Sequence, residues 1–399
     1  MKRFLVSPAL IALALVGFCG AAHATPPRPV IIDTSVDTRP FLAQMRGAGV
    51  KVVGRYLARC PQPEFAGLEA KRLVDQGLPG DPRSEVAQLL ANGFAILSIY
   101  QYYNGSAEKL SGQWRGNSLP GADCRPAPPG GRSARDEARM DAEAAIRQAR
   151  ELRQPQGSAI YFGMDFDYIP AADGGAMDAR VVEYFTELNR HLPQAGYRIG
   201  VYGNGHVIGM LRDRGLADFG WISASAAFTG TSDYHNSGRW HLFQHEVDTE
   251  WFGQPSGAGC SAGLILDANL QNPRGAAQIG FWTASGPFAI PERDTQAIFD
   301  TRRFVCNGEA VVRRTEASDF RDVTQARFCR NRKLETLAPV ARYATSVAIG
   351  RQSGNLVEVD VDDDGQMDGW TRADNLTASF AVKPRWIGGT AARAAASCN

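Results

Sequence analysis

The chain has 399 residues, 44% of them hydrophobic and 21% charged, with a formal net charge of +1. That near-neutral balance excludes a polybasic nucleic-acid binder, so no nucleic-acid partner is expected. Its length exceeds what one hydrophobic core usually serves, so a large domain joined to a small one is expected.

In chain order, Lys2 and Arg3 precede an apolar stretch over Pro8–Gly20, and Ala22-His23-Ala24 supplies an A-x-A cleavage pattern. Residues 1–24 therefore read as a signal peptide with a mature start at Thr25, and the apolar stretch is too short to span a bilayer. Elsewhere the sequence carries no other long apolar run. A secreted or periplasmic protein, free of the membrane after cleavage, is the expectation.

From Pro29 to about Leu270, strand-like and helix-like segments alternate. Strand patterns fall at Val30–Ile32, Val52–Leu57, Phe94–Tyr100, Ala159–Asp165, Arg198–Tyr202, Gly220–Ala224, Trp240–His245 and Leu264–Leu266. Helical spacing covers Arg39–Ala48, Ser84–Asn92 (closed by Gly93), Ser133–Arg153 and Asp178–Leu192. Ser133 suits an N-cap, with Asp136 and Glu137 in the first turn. Eight short strands in roughly 250 residues of βα repetition predict a (β/α)8 barrel of the TIM type over residues 25–272. The last helices are short or missing, so its second half is expected to be irregular; an open sheet is the alternative.

Residues 273–296 are rich in Gly, Pro and small side chains and read as a linker. Beyond them, Ala310–Arg313, Ser346–Gly350, Leu356–Val359 and Gly369–Arg372 read as short strands of a small all-β domain over residues 297–399. Six cysteines remain after the leader: Cys60, Cys124, Cys260, Cys306, Cys329 and Cys398. An even number in an exported chain predicts disulfides, with Cys306–Cys329 preferred and Cys60 with Cys124 able to staple two loops.

The chemistry concentrates at the strand ends, where an α/β barrel builds its site. Asp165 and Asp167 close the run Ile160–Asp167, and on a strand residues two apart share a face. Asp33 and Asp267 end the first and last strands. Arg55, Tyr56, Tyr100, Gln101, Tyr202, Trp221, Gln244 and Asn269 bring aromatic faces and polar groups suited to sugar rings. Paired carboxylates serve glycosidic-bond hydrolysis, or a divalent cation. In the first reading Asp167 is the general acid and Asp165 the charged neighbour that keeps a proton on it. Asp33 and Asp267 would face them across the barrel.

The segments Ile32-Asp33-Thr34-Ser35, Val53-Gly54-Arg55-Tyr56-Leu57, Ile99-Tyr100-Gln101, Ile160–Asp167, Gly200-Val201-Tyr202-Gly203 and Leu266-Asp267-Ala268-Asn269 resemble a bacterial secreted glycoside-hydrolase-like domain, itself similar to the family 25 lysozymes. The resemblance covers about residues 28–272. It implies a barrel with an acidic groove and cell-wall polysaccharide such as peptidoglycan as ligand; no cofactor is expected in the barrel. It also places Asp33, Asp165 and Asp267 on the lysozymes' strand positions. The chain departs from their D-x-E pattern, because Asp167 stands where the acid would be Glu. That acid is shorter by one methylene, and a misplacement of about 1 Å can cost on the order of 10²-fold.

A second acidic run, Asp360-Val361-Asp362-Asp363-Asp364-Gly365-Gln366-Met367-Asp368, has D-x-D-x-D-G-x-x-D spacing. Asp360, Asp362, Asp364 and Asp368 would supply a calcium turn, although Thr371 replaces the usual bidentate Glu; a solvated acidic hairpin is the alternative. The flanking Val357–Val359 and Gly369-Trp370-Thr371 are similar to a bacterial SH3-like domain. Three function classes follow: a polysaccharide hydrolase, a non-catalytic glycan-binding or envelope-interaction module, and a metal-dependent hydrolase, which lacks histidines paired with the carboxylates.

Overall fold

In the computed structural model, residues 28–378 are described apart from 60–71, 102–105, 113–126, 254, 257–258, 261–262, 306–308, 313–315, 317–326, 331–332, 337–339, 343–345, 362–364 and 366. Eight strands close into a barrel: β1 (Ile31–Asp33), β2 (Val52–Leu57), β3 (Ala95–Tyr100), β4 (Ala159–Met164), β5 (Arg198–Gly203), β6 (Phe219–Ile222), β7 (Leu242–Trp251) and β8 (Leu264–Gln271). β1 to β7 are parallel neighbours in order, with β3 on β4, and β8 closes the ring between β7 and β1. All eight expected strands are present and the sheet is closed. The irregularity lies in β8, which runs antiparallel to both neighbours. β7 and β8 form a hairpin too short to carry a crossover helix, and a hairpin can only be antiparallel.

Helices cover the barrel: α1 (Leu42–Gly47), α2 (Glu85–Ala91), α3 (Ser106–Leu110), α4 (Ala134–Glu151), α5 (Ala176–His191), α6 (Gly205–Asp213) and α7 (Thr231–Asn236). Ser84 and Ser133 cap α2 and α4, accepting the N–H of Ala87 and Asp136. The helix side of the wall buries Val53, Ile160, Phe162 and Val201 against Ala138, Ala142 and Ala145 of α4 and Val181, Phe185 and Leu188 of α5. The small residues of α4 let the helix lie close on its neighbours. No helix among the described residues is long and apolar enough to cross a membrane.

The barrel interior holds a second core of Ile31, Val52, Leu97, Ile99, Tyr161, Phe219, Trp221 and Leu242. Its floor corrects the linker reading of residues 273–296. Strands β9 (Phe281–Thr283) and β10 (Gly286–Phe288) form a hairpin whose Trp282 pairs with Ile96 of β3. Ile279, Phe281 and Trp282 are fully buried. The Tyr161 hydroxyl donates to the Ile279 carbonyl at 2.7 Å, and the Trp282 indole donates to Ser98 Oγ at 3.0 Å. This Gly-rich stretch plugs the barrel because Gly280, at φ 92°, lies against Ala159, whose Cβ would stand 2.1 Å from an added one.

Helix α8 (Glu292–Asp300) leads to a five-stranded antiparallel sheet. It comprises β11 (Arg302–Val305), β12 (Ser346–Ser353), β13 (Leu356–Asp360), β14 (Gly369–Arg372) and β15 (Leu376–Thr377). Phe304 joins this sheet to the barrel's outer core, its ring centroid 5.5 Å from His235 and 5.9 Å from Phe243. The expected cysteine bridges involve side chains outside the described residues, as do Asp362 and Asp364. Of the expected calcium set, Asp360 accepts the Gly365 N–H at 2.8 Å and Asp368 the Val361 N–H at 2.7 Å, closing the acidic turn.

Candidate functional site

Alternation along each strand decides which side chains enter the barrel. On β4, Ala159 and Tyr161 belong to the interior, and the same parity brings Gly163 and then Asp165 to its mouth. On β2 it brings in Gly54 and Tyr56, on β8 Asp267 and Asn269, and on β7 Gln244. β1 and β8 place Asp33 directly opposite Asp267 in register, so the two acids are cross-strand neighbours. They therefore share one wall instead of facing each other, and Asp165 stands across the mouth.

Each acid of the wall is held by a two-step relay. Trp221 Nε1 donates to Asn269 Oδ1 at 2.9 Å, and Asn269 Nδ2 donates to Asp33 Oδ2 at 2.7 Å. The Tyr56 hydroxyl donates to Asp33 Oδ1 at 2.9 Å. In parallel, the Tyr202 hydroxyl donates to Gln244 Oε1 at 2.7 Å, and Gln244 Nε2 donates to Asp267 Oδ2 at 2.6 Å. The backbone N–H of Asp248 donates to Asp267 Oδ1 at 2.7 Å. Since the Trp221 indole can only donate, the orientation of the Asn269 amide is fixed. Glycines make the room: a Cβ on Gly54 would lie 2.5 Å from that of Asp33, and one on Gly163 would lie 2.5 Å from Gln101 Oε1.

Burial dominates the electrostatics of these groups. It raises Asp33 from 3.8 to about 6, against the lowering effect of the bonds from Asn269 and Tyr56. Burial, then the neighbouring Asp33 charge, pushes Asp267 well above the ordinary carboxylate range. Burial also raises Asp165, opposed by the bond from Gln101 Nε2 at 3.3 Å. Burial and the repulsion between the two neighbouring carboxyls hold a proton on the Asp33–Asp267 pair. A cleft of about 110 Å³ opens beside this wall, lined by Asp33, Thr34, Ser35, Tyr56, Asp248 and Asp267 among others.

Three expected placements are corrected. Arg55 does not reach the mouth: fully buried, it pairs with Glu85 at 2.8 Å and donates to the Thr34 carbonyl. Tyr100 also points outward, its hydroxyl donating to Asp141 of α4 at 2.9 Å. The reason is parity: of the neighbours Arg55 and Tyr56, or Tyr100 and Gln101, only one can face inward. Asp165 and Asp167 do not share a face either. β4 ends at Met164, and Phe166 N–H folds back onto the Met164 carbonyl at 3.0 Å. Asp167 is thereby turned toward the β5 and β6 loops, where its Oδ1 accepts Asn204 Nδ2 at 3.2 Å and Thr229 N–H at 2.8 Å. The raised acids are Asp33, Asp165 and Asp267.

The mouth thus brings together Asp33, Tyr56, Gln101, Asp165, Tyr202, Trp221, Gln244, Asp267 and Asn269. Thr34, Ser35 and Asp248 line the cleft without having been singled out by sequence. Thr34 and Ser35 follow Asp33 directly and could have been found from it; Asp248 depends on a register break that no sequence pattern marks. Among the described residues, no three or more His, Cys, Asp and Glu side chains are arranged to hold a metal ion.

A closed α/β barrel with carboxylates gathered at its mouth defines a glycoside-hydrolase-like protein. Residues 43–259 match the model of the Rv2525c-like, glycoside hydrolase-like domain, and the chain belongs to that family. It is 24% identical over 217 residues to the uncharacterized protein FadG of Bacillus subtilis strain 168. That match covers 53% of this chain and 31% of FadG, so the chain spans about a third of the relative's length. Among solved structures, the Tat-secreted protein Rv2525c of Mycobacterium tuberculosis, described in complex with L-tartrate, is similar at 21% identity and a TM-score of 0.44. That similarity covers 64% of this chain and 99% of the other. A family 25 glycosyl hydrolase from Bacillus anthracis is similar at 11% identity and a TM-score of 0.32, over 64% of this chain and 93% of the other.

Proposed function

We propose that the protein is exported and that its barrel mouth binds and hydrolyses a cell-wall polysaccharide of the peptidoglycan type. The observation that carries this reading is the opposition of Asp165, raised by burial, to the Asp33–Asp267 wall across one mouth. A carboxyl kept protonated opposite an ionised one is the pairing that glycoside hydrolysis uses. Asp165 gives its proton to the leaving oxygen as the glycosidic C–O bond breaks. A water oxygen adds to the anomeric carbon, and its proton passes to the ionised member of the wall. Tyr56, Gln101 and Tyr202 border the ring and hydroxyl positions. Export rests on the leader pattern of residues 1–24.

Reducing ends released from purified peptidoglycan test this directly: wild-type protein should release them and Asp165→Asn should not. No release by wild-type protein on material it binds would sink the hydrolytic part. One observation favours a second reading, a glycan-binding module without turnover. Asp167, which occupies the lysozyme acid position, has its Oδ1 engaged by both Asn204 and Thr229 and serves as a loop tie. In the small domain we propose a calcium turn, supported by the spacing from Asp360 to Asp368. A melting temperature indifferent to calcium and to chelator would rule it out.

A further inference from the structure

Strand β7 extends past the barrel wall, and its ladder with β8 shifts register around Asp267. Glu246 pairs with Ala268 and Thr249 with Leu266, so Val247 and Asp248 together stand against the single residue Asp267. This is a β-bulge, a device that re-aims a backbone group beside a site. Asp248 adopts φ 52°, in the left-handed region, where a short polar side chain is tolerated better than most. The bulge brings its N–H onto Asp267 Oδ1 at 2.7 Å and sets the residue on the cleft beside Asp33 and Tyr56.

The other acids of the mouth are all engaged by side chains. Asp33 accepts from Tyr56 and Asn269, Asp267 from Gln244, and Asp165 from Gln101. The carboxylate of Asp248 has no hydrogen bond or ion pair among the described residues, and the side chain is exposed. A cleft acid with no partner of its own is the group a bound sugar's hydroxyls can reach, and a hydroxyl given to a carboxylate makes a charge-assisted bond. The backbone that presents this acid also clamps Asp267.

We propose that Asp248 is a ligand-contacting carboxylate of the cleft, accepting hydroxyl groups of the bound sugar while its N–H positions Asp267. The proposal rests on the reading of the mouth as a glycan site. Asp267 is faced by Asp33 from β1, by Asp165 from the end of β4 and by Asp248 from β7, and it accepts from Gln244. Removing the Asp248 charge while keeping its N–H therefore lowers the Asp267 titration midpoint.

The test uses the mature full chain and two variants. Asp248→Asn removes the charge and keeps a residue tolerant of the left-handed conformation. Asp248→Gly removes the side chain, keeps the N–H and suits that conformation outright. Binding of soluble peptidoglycan glycan strands is measured by calorimetry, and the Asp267 midpoint by carboxyl-carbon NMR. Both variants should bind about tenfold more weakly, with a lower Asp267 midpoint and a melting temperature no lower for the glycine variant. Wild-type binding matched by both variants would overturn the contact, and an Asp267 midpoint unmoved in both would overturn the placement of the Asp248 charge beside Asp267. Wild-type protein that binds no glycan strands would instead overturn the reading of the mouth, and the contact with it.

Discussion

The β1–β8 wall and the tip of β4 each carry two aspartates, and the two places treat them differently. Asp33 and Asp267 lie on paired strands in register, so both enter the barrel, lose water and acquire raised pKa values. At β4 the strand stops at Met164 before the acids begin, and the chain folds back at Phe166. Asp165 follows the strand's parity into the mouth, while Asp167 leaves it to tie down the loops through Asn204 and Thr229. Identical side chains thus become a proton-sharing pair or a loop tie according to whether a ladder still governs the backbone.

The largest way to break this comparison is to remove each acid of the β4 tip in turn. Asp165→Asn should lower polysaccharide hydrolysis by on the order of 10²–10⁴, the usual weight of a general acid. Asp167→Asn should stay within about tenfold of wild type, because it loses a loop tie. Equal losses, read as rates of reducing-end release, would erase the distinction between the two positions.

The next effect is on stability against pH. Asp33 is raised from 3.8 to about 6, so the folded state keeps a proton that the unfolded chain releases. The stabilisation is fully present below the unfolded value and is lost as pH rises through the folded one. About two units correspond to ~3 kcal/mol. Denaturant unfolding should therefore show stability falling by about that amount between the two values, with Asp165 and Asp267 adding in the same direction. Asp33→Asn should flatten this part of the profile. A wild-type profile that rises over the same range would contradict the wall's description.

Smaller effects sharpen the same contrast. Gly54→Ala drives a Cβ to 2.5 Å from that of Asp33 and should cost about 1–3 kcal/mol as overpacking. Tyr100→Phe removes the hydroxyl that donates to Asp141 and should cost about 1 kcal/mol in a thermal melt. Glycan binding should not change in that variant, since Tyr100 lies on the helix side of the wall. Reduced binding in Tyr100→Phe would return that residue to the mouth.

Much of this was legible in the sequence, and the misses have physical causes. Short apolar runs separated by helical spacing located all eight strands, and Ser133 announced its helix by capping chemistry. Strand direction was hidden, because an apolar run such as Leu264–Leu266 looks the same whichever way it runs. Arg55 and Tyr100 were drawn to the mouth by their chemistry, although alternation from Tyr56 and Gln101 already assigned them to the opposite side. The floor hairpin was missed because Gly and Pro in residues 273–296 suggested a linker, while close approach of backbone to Ala159 is what requires Gly280. Asp248 was invisible because a bulge is a property of two strands read together.

The most direct measurement is a residue-resolved carboxyl titration of the folded protein, following Asp33, Asp165 and Asp267 by NMR. A midpoint near 6 is expected for Asp33, with Asp165 and Asp267 both above the ordinary carboxylate value. Ordinary midpoints for all three would mean that the wall and the acid opposite it are solvated groups, and would contradict the site described for this barrel.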